Sequence, residues 1–167
     1  YRNNVIYNWG YNSCYGGEAQ QVGNSKFDFS TINMIANYYK PGPATESGVR
    51  DRIAEPSSRG EGDEGSWYFA KNVVEGHPAV TDDNWEGVDG NDYIRLDQPW
   101  SAMPINQQTA EEAFQSVLAC AGSSVPNRDS IDLRIIEEVR NGTSTHGENG
   151  IITTPSDVGG WPELQSG

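Results

Sequence analysis

The chain has 167 residues, room for one domain with a real core. Only 35% of them are apolar, while 19 Gly, 9 Pro, five Trp and eight Tyr suit a loop-rich β protein better than a helical bundle. The formal net charge of −13 argues against a phosphate-binding surface, which needs clustered Lys and Arg, and so against nucleic acid as a partner. No apolar run approaches the roughly 18 residues of a membrane span.

No charged segment followed by an apolar one opens the chain, so in a secreted parent the signal is expected upstream of Tyr1 or already removed. Cys14 and Cys120 read as two separate thiols rather than a disulfide, because spacing cannot show that they meet. With His77 and His146 the only histidines, a zinc site or a Cys/His nucleophile pair has little support.

A short phrase repeats in the N-terminal half. Asn4-Val5-Ile6-Tyr7-Asn8-Trp9 resembles Asn33-Met34-Ile35-Ala36-Asn37-Tyr38, and Trp67 to Val74 is a looser third copy. The copies start too far apart for hairpins, and their spacing suits the coils of a parallel β solenoid with loops of uneven length. Asn8 and Asn37 then fall at corresponding places, where stacked amides would bond from coil to coil; the alternative is that Asn is simply a turn residue. Tyr7, Trp9, Tyr11 and Tyr15 crowd this end. On a strand Tyr7, Trp9 and Tyr11 would share a face and offer sugar rings a stacking platform, against the plainer reading of packing between coils.

From Pro41 to Gly65 the chain is loop-like, with a β-favouring island at Val49 to Ala54. Arg50, Arg52 and Arg59 flank the sequence IAEPSS, where guanidiniums would either hold a carboxylate ligand or pair with Asp51, Glu55 and Glu61. The stretch DDNWEGVDGND, residues 82 to 92, is rich in oxygen ligands but lacks the glycine and glutamate frame of an EF-hand, and reads as a solvated acidic turn. Tyr93 to Leu96 is a candidate short strand.

Two helices follow. Thr109 and Glu112 form a capping box ahead of Phe114, Val117, Leu118 and Ala121, with Gly122 as the stop. The second starts at Asp129 or Ser130, is expected to bury Ile131, Ile135, Ile136 and Val139, and stops at Asn141-Gly142. Asn141-Gly142-Thr143 also matches a glycosylation sequon, which matters only in a eukaryotic secretory host. The last segment has too much Pro and Gly for a helix and is expected to wrap the surface.

Taken together, RNNVIYNWGYNSCYGGE, INMIANYYKPGPAT, RIAEPSSRG, WYFAKNVVEGHPAVTDDNW, SAMPINQQTAEEAF and the tail SDVGGWPEL resemble the C-terminal part of bacterial pectate lyases of the first polysaccharide lyase family. The resemblance runs over essentially the whole chain. It implies a β-class fold, a fragment of a right-handed parallel β-helix (solenoid) with two C-terminal α-helices and long loops. Residues 1–167 would form one domain, with coils and loops to about residue 100 and a helical cover and tail from 101 to 167.

The resemblance also implies calcium-assisted β-elimination on polygalacturonate, in a secreted or periplasmic setting. Calcium would neutralise the substrate carboxylate and acidify the neighbouring proton, and an arginine would act as base. That arginine belongs to an Arg-x-Pro-x-x-Arg segment, which none of Arg2, Arg50, Arg52 or Arg59 occupies. No catalytic and no metal-binding position therefore carries over; the calcium ligands and the base are expected upstream, and the chain alone is expected to show negligible lyase activity. Trp9, Tyr11 and Tyr15 are the candidate substrate-binding residues. The expected partners are an acidic polysaccharide and, at an open β-helix end, the missing N-terminal portion or another copy. The alternative is a non-catalytic carbohydrate-binding or self-assembling fragment.

Overall fold

The computed structural model describes residues 1–19 and 29–161. Among these residues eight short strands carry the fold: β1 (Val5–Tyr7), β2 (Tyr15–Gly16), β3 (Thr31–Ile35), β4 (Tyr38–Lys40), β5 (Glu55–Pro56), β6 (Gly65–Ala70), β7 (Val73–Val74) and β8 (Tyr93–Arg95). Every pairing between them is parallel, in the orders β1-β4-β7, β2-β5 and β3-β6-β8. Consecutive strands thus enter different sheets, as parallel pairing through long connections requires.

One bend sets the register. Asn3, Ala36 and Lys71 all adopt the left-handed conformation (φ 56°, 52° and 59°), and each is followed by an asparagine. The Nδ2 of Asn4 donates to the Oδ1 of Asn37 (3.0 Å), that of Asn37 to Asn72 (2.9 Å), and that of Asn72 to Asn84 (3.0 Å). Each acceptor oxygen also takes the backbone N–H of the same donor residue, at 3.1, 2.9 and 2.7 Å. Asn37 and Asn72 are wholly buried, where such amides must be bonded.

The stacked amides exist, but Asn37 lies over Asn4 rather than Asn8. The phrase around Asn33 straddles β3, the bend and β4, so only its second half matches the strand that follows Asn4. Val5 accordingly pairs with Tyr38, and Ile32 with Trp67. Asn8, itself left-handed, accepts from the Ala44 N–H (2.6 Å) and donates to the Asn149 carbonyl (2.8 Å).

The main core fills the space between the sheets with Met34, Tyr39, Ile53, Trp67, Phe69, Val74 and Val80. In β6 the buried positions are Gly65, Trp67 and Phe69, the alternation a strand imposes. Trp67 and Phe69 stack at 5.4 Å, and Trp85 meets Phe69 edge-on at 5.0 Å. The expected island at 49–54 is mostly turn: a 3-10 turn at Ser47–Val49 precedes buried Ile53 and Ala54, and only Ala54 bridges to Val88.

A short helix α1 (Pro78–Asp82) and a 3-10 turn (Asn84–Gly87) follow β7. Helix α2 (Ala110–Cys120) has the full capping box of Thr109 and Glu112. Its Phe114 stacks on Tyr38 at 4.4 Å, laying the helix over the β1-β4 sheet. Helix α3 (Ser130–Asn141) starts at Asp129, whose carboxylate accepts from the N–H groups of Ile131 and Asp132, and stops at left-handed Gly142. It meets α2 along a narrow stripe, so Ile136 is buried and Val139 partly so, whereas the expected burial of Ile131 and Ile135 is not found: they are 57% and 44% exposed. The tail closes a 3-10 turn at Pro155–Val158. Both cysteines are free thiols, Cys14 half-buried and Cys120 exposed.

Candidate functional site

After Tyr7 the chain leaves β1 through left-handed Asn8 and Gly10, and re-enters a sheet at Tyr15. Strand alternation therefore stops before Trp9, and the aromatic residues part company. Trp9 is half-buried: its Nε1 donates to the Val49 carbonyl (3.2 Å) and its ring stands edge-on to Tyr39 at 6.1 Å. The Tyr7 hydroxyl donates to the Thr143 carbonyl (2.5 Å), under the C-terminal segment. Tyr11 is 53% and Tyr15 71% exposed. Tyr11 and Tyr15 are thus the exposed rings of the flank that leads into β2, while Trp9 packs inward against Tyr39.

Arg52 organises this flank. Its guanidinium lies 4.7 Å from the Tyr11 ring centroid, and its Nη2 donates to the Tyr11 carbonyl (2.5 Å) and to Oδ1 of Asn12 (2.9 Å). Nη1 pairs with Asp89 and Glu55, both at 3.0 Å. Ser13 Oγ reaches the Arg52 and Ile53 carbonyls at 3.0 and 2.9 Å, so the turn is tied down twice. Glu55 stands directly opposite Tyr15 in the β2-β5 register.

The other two arginines are directed elsewhere. Arg50 donates to the carbonyls of Gly42 and Thr45 at 3.1 Å, and Arg59 pairs with Asp63 at 2.9 Å. The acidic stretch 82–92 is a built turn: Asp83 accepts from the Trp85 N–H (3.0 Å), Asn84 ends the amide stack, and Asp89 goes to Arg52. Trp85 stacks on Tyr93 at 5.6 Å and under Arg95 at 4.3 Å.

Beside Tyr15 opens a hollow of about 360 Å³, lined mainly by Tyr1, Cys14, Tyr15, Ile32, Met34 and Trp67. Gly17 passes so close to Trp67 that a Cβ there would stand 2.4 Å from the ring. Burial pushes the Cys14 thiol above its ordinary range. The Trp67 Nε1 is buried with no hydrogen-bond partner among the described residues.

The described residues do not fit a calcium site. Among the described residues no group of three or more His, Cys, Asp or Glu side chains gathers to hold a metal ion, and the carboxylates of Glu55 and Asp89 both turn onto Arg52. What the flank offers chemically is two exposed aromatic faces, one of them backed by a buried cation. Sequence reasoning named both rings and Arg52 but had no signal for their contact, which joins positions 41 residues apart.

No protein-family model matches the chain. Full-length relatives do. The proteins called "Probable pectate lyase C" of Aspergillus flavus and Aspergillus terreus are each 29% identical over 176 aligned positions, and that of Aspergillus oryzae is 28% identical. The alignments cover the whole of this chain but 37% of each relative, so the chain spans little more than a third of their length. The relatives are fungal, where the sequence phrases suggested bacterial ones. The chain is therefore pectate-lyase-like in sequence and mostly β in structure, with parallel sheets and few helices.

Proposed function

We propose that the chain is the polysaccharide-holding part of a pectate-lyase-like protein, built as a fragment of a right-handed parallel β-helix, and that its β2-β5 flank binds polygalacturonate through Tyr11 and Tyr15, with Trp9 held inward against Tyr39. The observation that carries this reading is the pair of exposed rings on one flank of a chain similar along its whole length to fungal pectate lyases. Aromatic faces suit sugar rings because the axial C–H groups of a pyranose meet the electron-rich face. The groups that carry out β-elimination, and any calcium they use, are assigned to parts of the protein beyond these 167 residues.

The net charge of −13 repels a polyanion, so binding is expected to need a divalent cation in solution. Affinity electrophoresis through polygalacturonate tests this. The chain is expected to be retarded in calcium chloride and released by chelator, with retardation lost in Tyr11→Ala and Tyr15→Ala. Migration unaffected by the polysaccharide sinks the proposal. Appearance of unsaturated uronide with the 167 residues alone would overturn the assignment of chemistry to another part of the protein.

A second reading, self-association, has its own support. β2 and β3 are edge strands among the described residues, and both line the apolar hollow. A sedimentation coefficient that rises with concentration, without polysaccharide, would favour it.

A further inference from the structure

We propose that Arg52 is a positioning residue that sets the Tyr11 ring for stacking, by joining three separate passes of the chain through one buried guanidinium. Its side chain is 4% exposed, yet it is charged and its Nε is buried with no partner among the described residues. A buried guanidinium loses its hydration while its carboxylate partners, 40% and 57% exposed, offset that loss only in part, and apolar side chains of similar volume often serve stability as well or better. Stability alone therefore does not account for an arginine here.

What only a guanidinium supplies is a flat cationic face and a fork of donors in one plane. The face lies under the Tyr11 ring at 4.7 Å, while the fork holds the Tyr11 carbonyl and the Asn12 side chain. Ring and backbone of one residue are thus fixed by the same group. The opposite arm reaches Asp89, beyond the Ala54–Val88 bridge, and Glu55 of β5, which anchors the guanidinium to the following passes. The ring remains 53% exposed, so it is oriented before any ligand arrives and loses little freedom on binding. Tyr15, which no cation backs among the described residues, is the comparison within the same flank.

The ligand part of this inference rests on the carbohydrate reading above; the ordering part does not. The test uses the whole chain as wild type, Arg52→Lys, Arg52→Met, Tyr11→Ala and the Arg52→Met/Tyr11→Ala double variant. The first readout needs no ligand: amide hydrogen exchange of residues 10–14, with β3 and β6 as internal references. Both Arg52 variants are expected to speed exchange at 10–14 by about tenfold, the scale of one lost cation–π contact, with the references unchanged. Unchanged exchange at 10–14, acceleration spread equally over β3 and β6, or failure of both variants to fold would each overturn the proposal.

The second readout is the dissociation constant for polygalacturonate in calcium chloride. Arg52→Met is expected to weaken binding about tenfold in the wild-type background and not at all in Tyr11→Ala, because the effect passes through that ring. Equal weakening in both backgrounds would overturn the coupling. Absence of binding by the wild type would sink the carbohydrate reading, and the exchange result would still decide the ordering role.

Discussion

The Nδ2 of Asn37 donates to the Oδ1 of Asn72 across 2.9 Å, and the backbone N–H of Asn37 shares that oxygen at the same distance. Both residues are completely buried, and Asn37 in turn accepts from the side chain and backbone of Asn4. Asn37→Ala would orphan the Asn4 N–H and take from the Asn72 Oδ1 one of its two donors. Each orphaned buried group costs about 1–3 kcal/mol, so a loss of about 3 kcal/mol is expected in urea unfolding. Asn8→Ala, at a half-exposed position, should cost about 1 kcal/mol or less. Equal costs for the two would mean that the stacked amides do not hold the register.

Phe114 carries the attachment of the helical cover. It stacks on Tyr38 at 4.4 Å, lies beneath the Lys40 ammonium at 5.6 Å, and packs with Leu118 and Ile136. Phe114→Ala removes the ring and leaves a cavity, a loss of about 3–4 kcal/mol by comparison with other buried aromatics. If the cover unfolds as a separate unit, exchange in α2 and α3 should rise while β6 stays protected. Uniform loss of protection would show a single cooperative core.

Alkaline stability should report on Tyr38 and Tyr39. Burial is the largest cause raising both phenols above the ordinary tyrosine range, and for Tyr38 the hydrogen bond to Glu75 adds to it. A phenol whose folded-state value is raised contributes stability that is complete below the unfolded value, about 10, and is lost as pH rises above it. Ultraviolet titration should therefore show a fraction of the eight tyrosines ionising only together with unfolding. Smooth ionisation of all of them in the folded protein would contradict the packing described.

Acid should act first on the tail. The Asp157 carboxyl is held down to about 2 by the N–H groups of Thr153 and Thr154 and by the Thr153 hydroxyl. A depressed carboxyl contributes above its unfolded value near 4 and loses that contribution as pH falls toward the folded one. The Pro155–Val158 turn is expected to loosen between about pH 4 and pH 2. A carbon-detected titration of Asp157 that ends near the free-peptide value would refute this.

Alkylation should distinguish the two thiols. Cys120 is exposed, whereas Cys14 is half-buried with its thiol pushed up by desolvation. One equivalent of iodoacetamide is expected at Cys120 before any at Cys14. Preferential labelling of Cys14 would mean that the hollow beside Tyr15 is open to reagents.

Local chemistry was legible where local chemistry decides the outcome. The capping residues Thr109 and Asp129 and the stop at Gly142 were readable because each acts within one helical turn. The repeat was legible as a spacing, but its register was not. Nothing in the sequence marks Ala36 as the left-handed residue of the bend, and the Asn33 phrase therefore aligned four positions away from its true match. Burial of α3 was overread, because a full apolar stripe was assumed where contact with α2 needs only Ile136 and Val139. The stacking of Arg52 on Tyr11 lies between elements that the sequence leaves unconnected.

The amide stack also has a polarity. Each amide passes its hydrogen toward the later residue, and at Asn84 the series closes, because its Nδ2 donates to the backbone carbonyls of Asn72 and Val80. At Asn4 the Oδ1 accepts no hydrogen bond among the described residues. Such a stack resembles a crystal face with one growing side: a further amide is accommodated only above Asn4, and the Asn84 side is terminated by its own backbone.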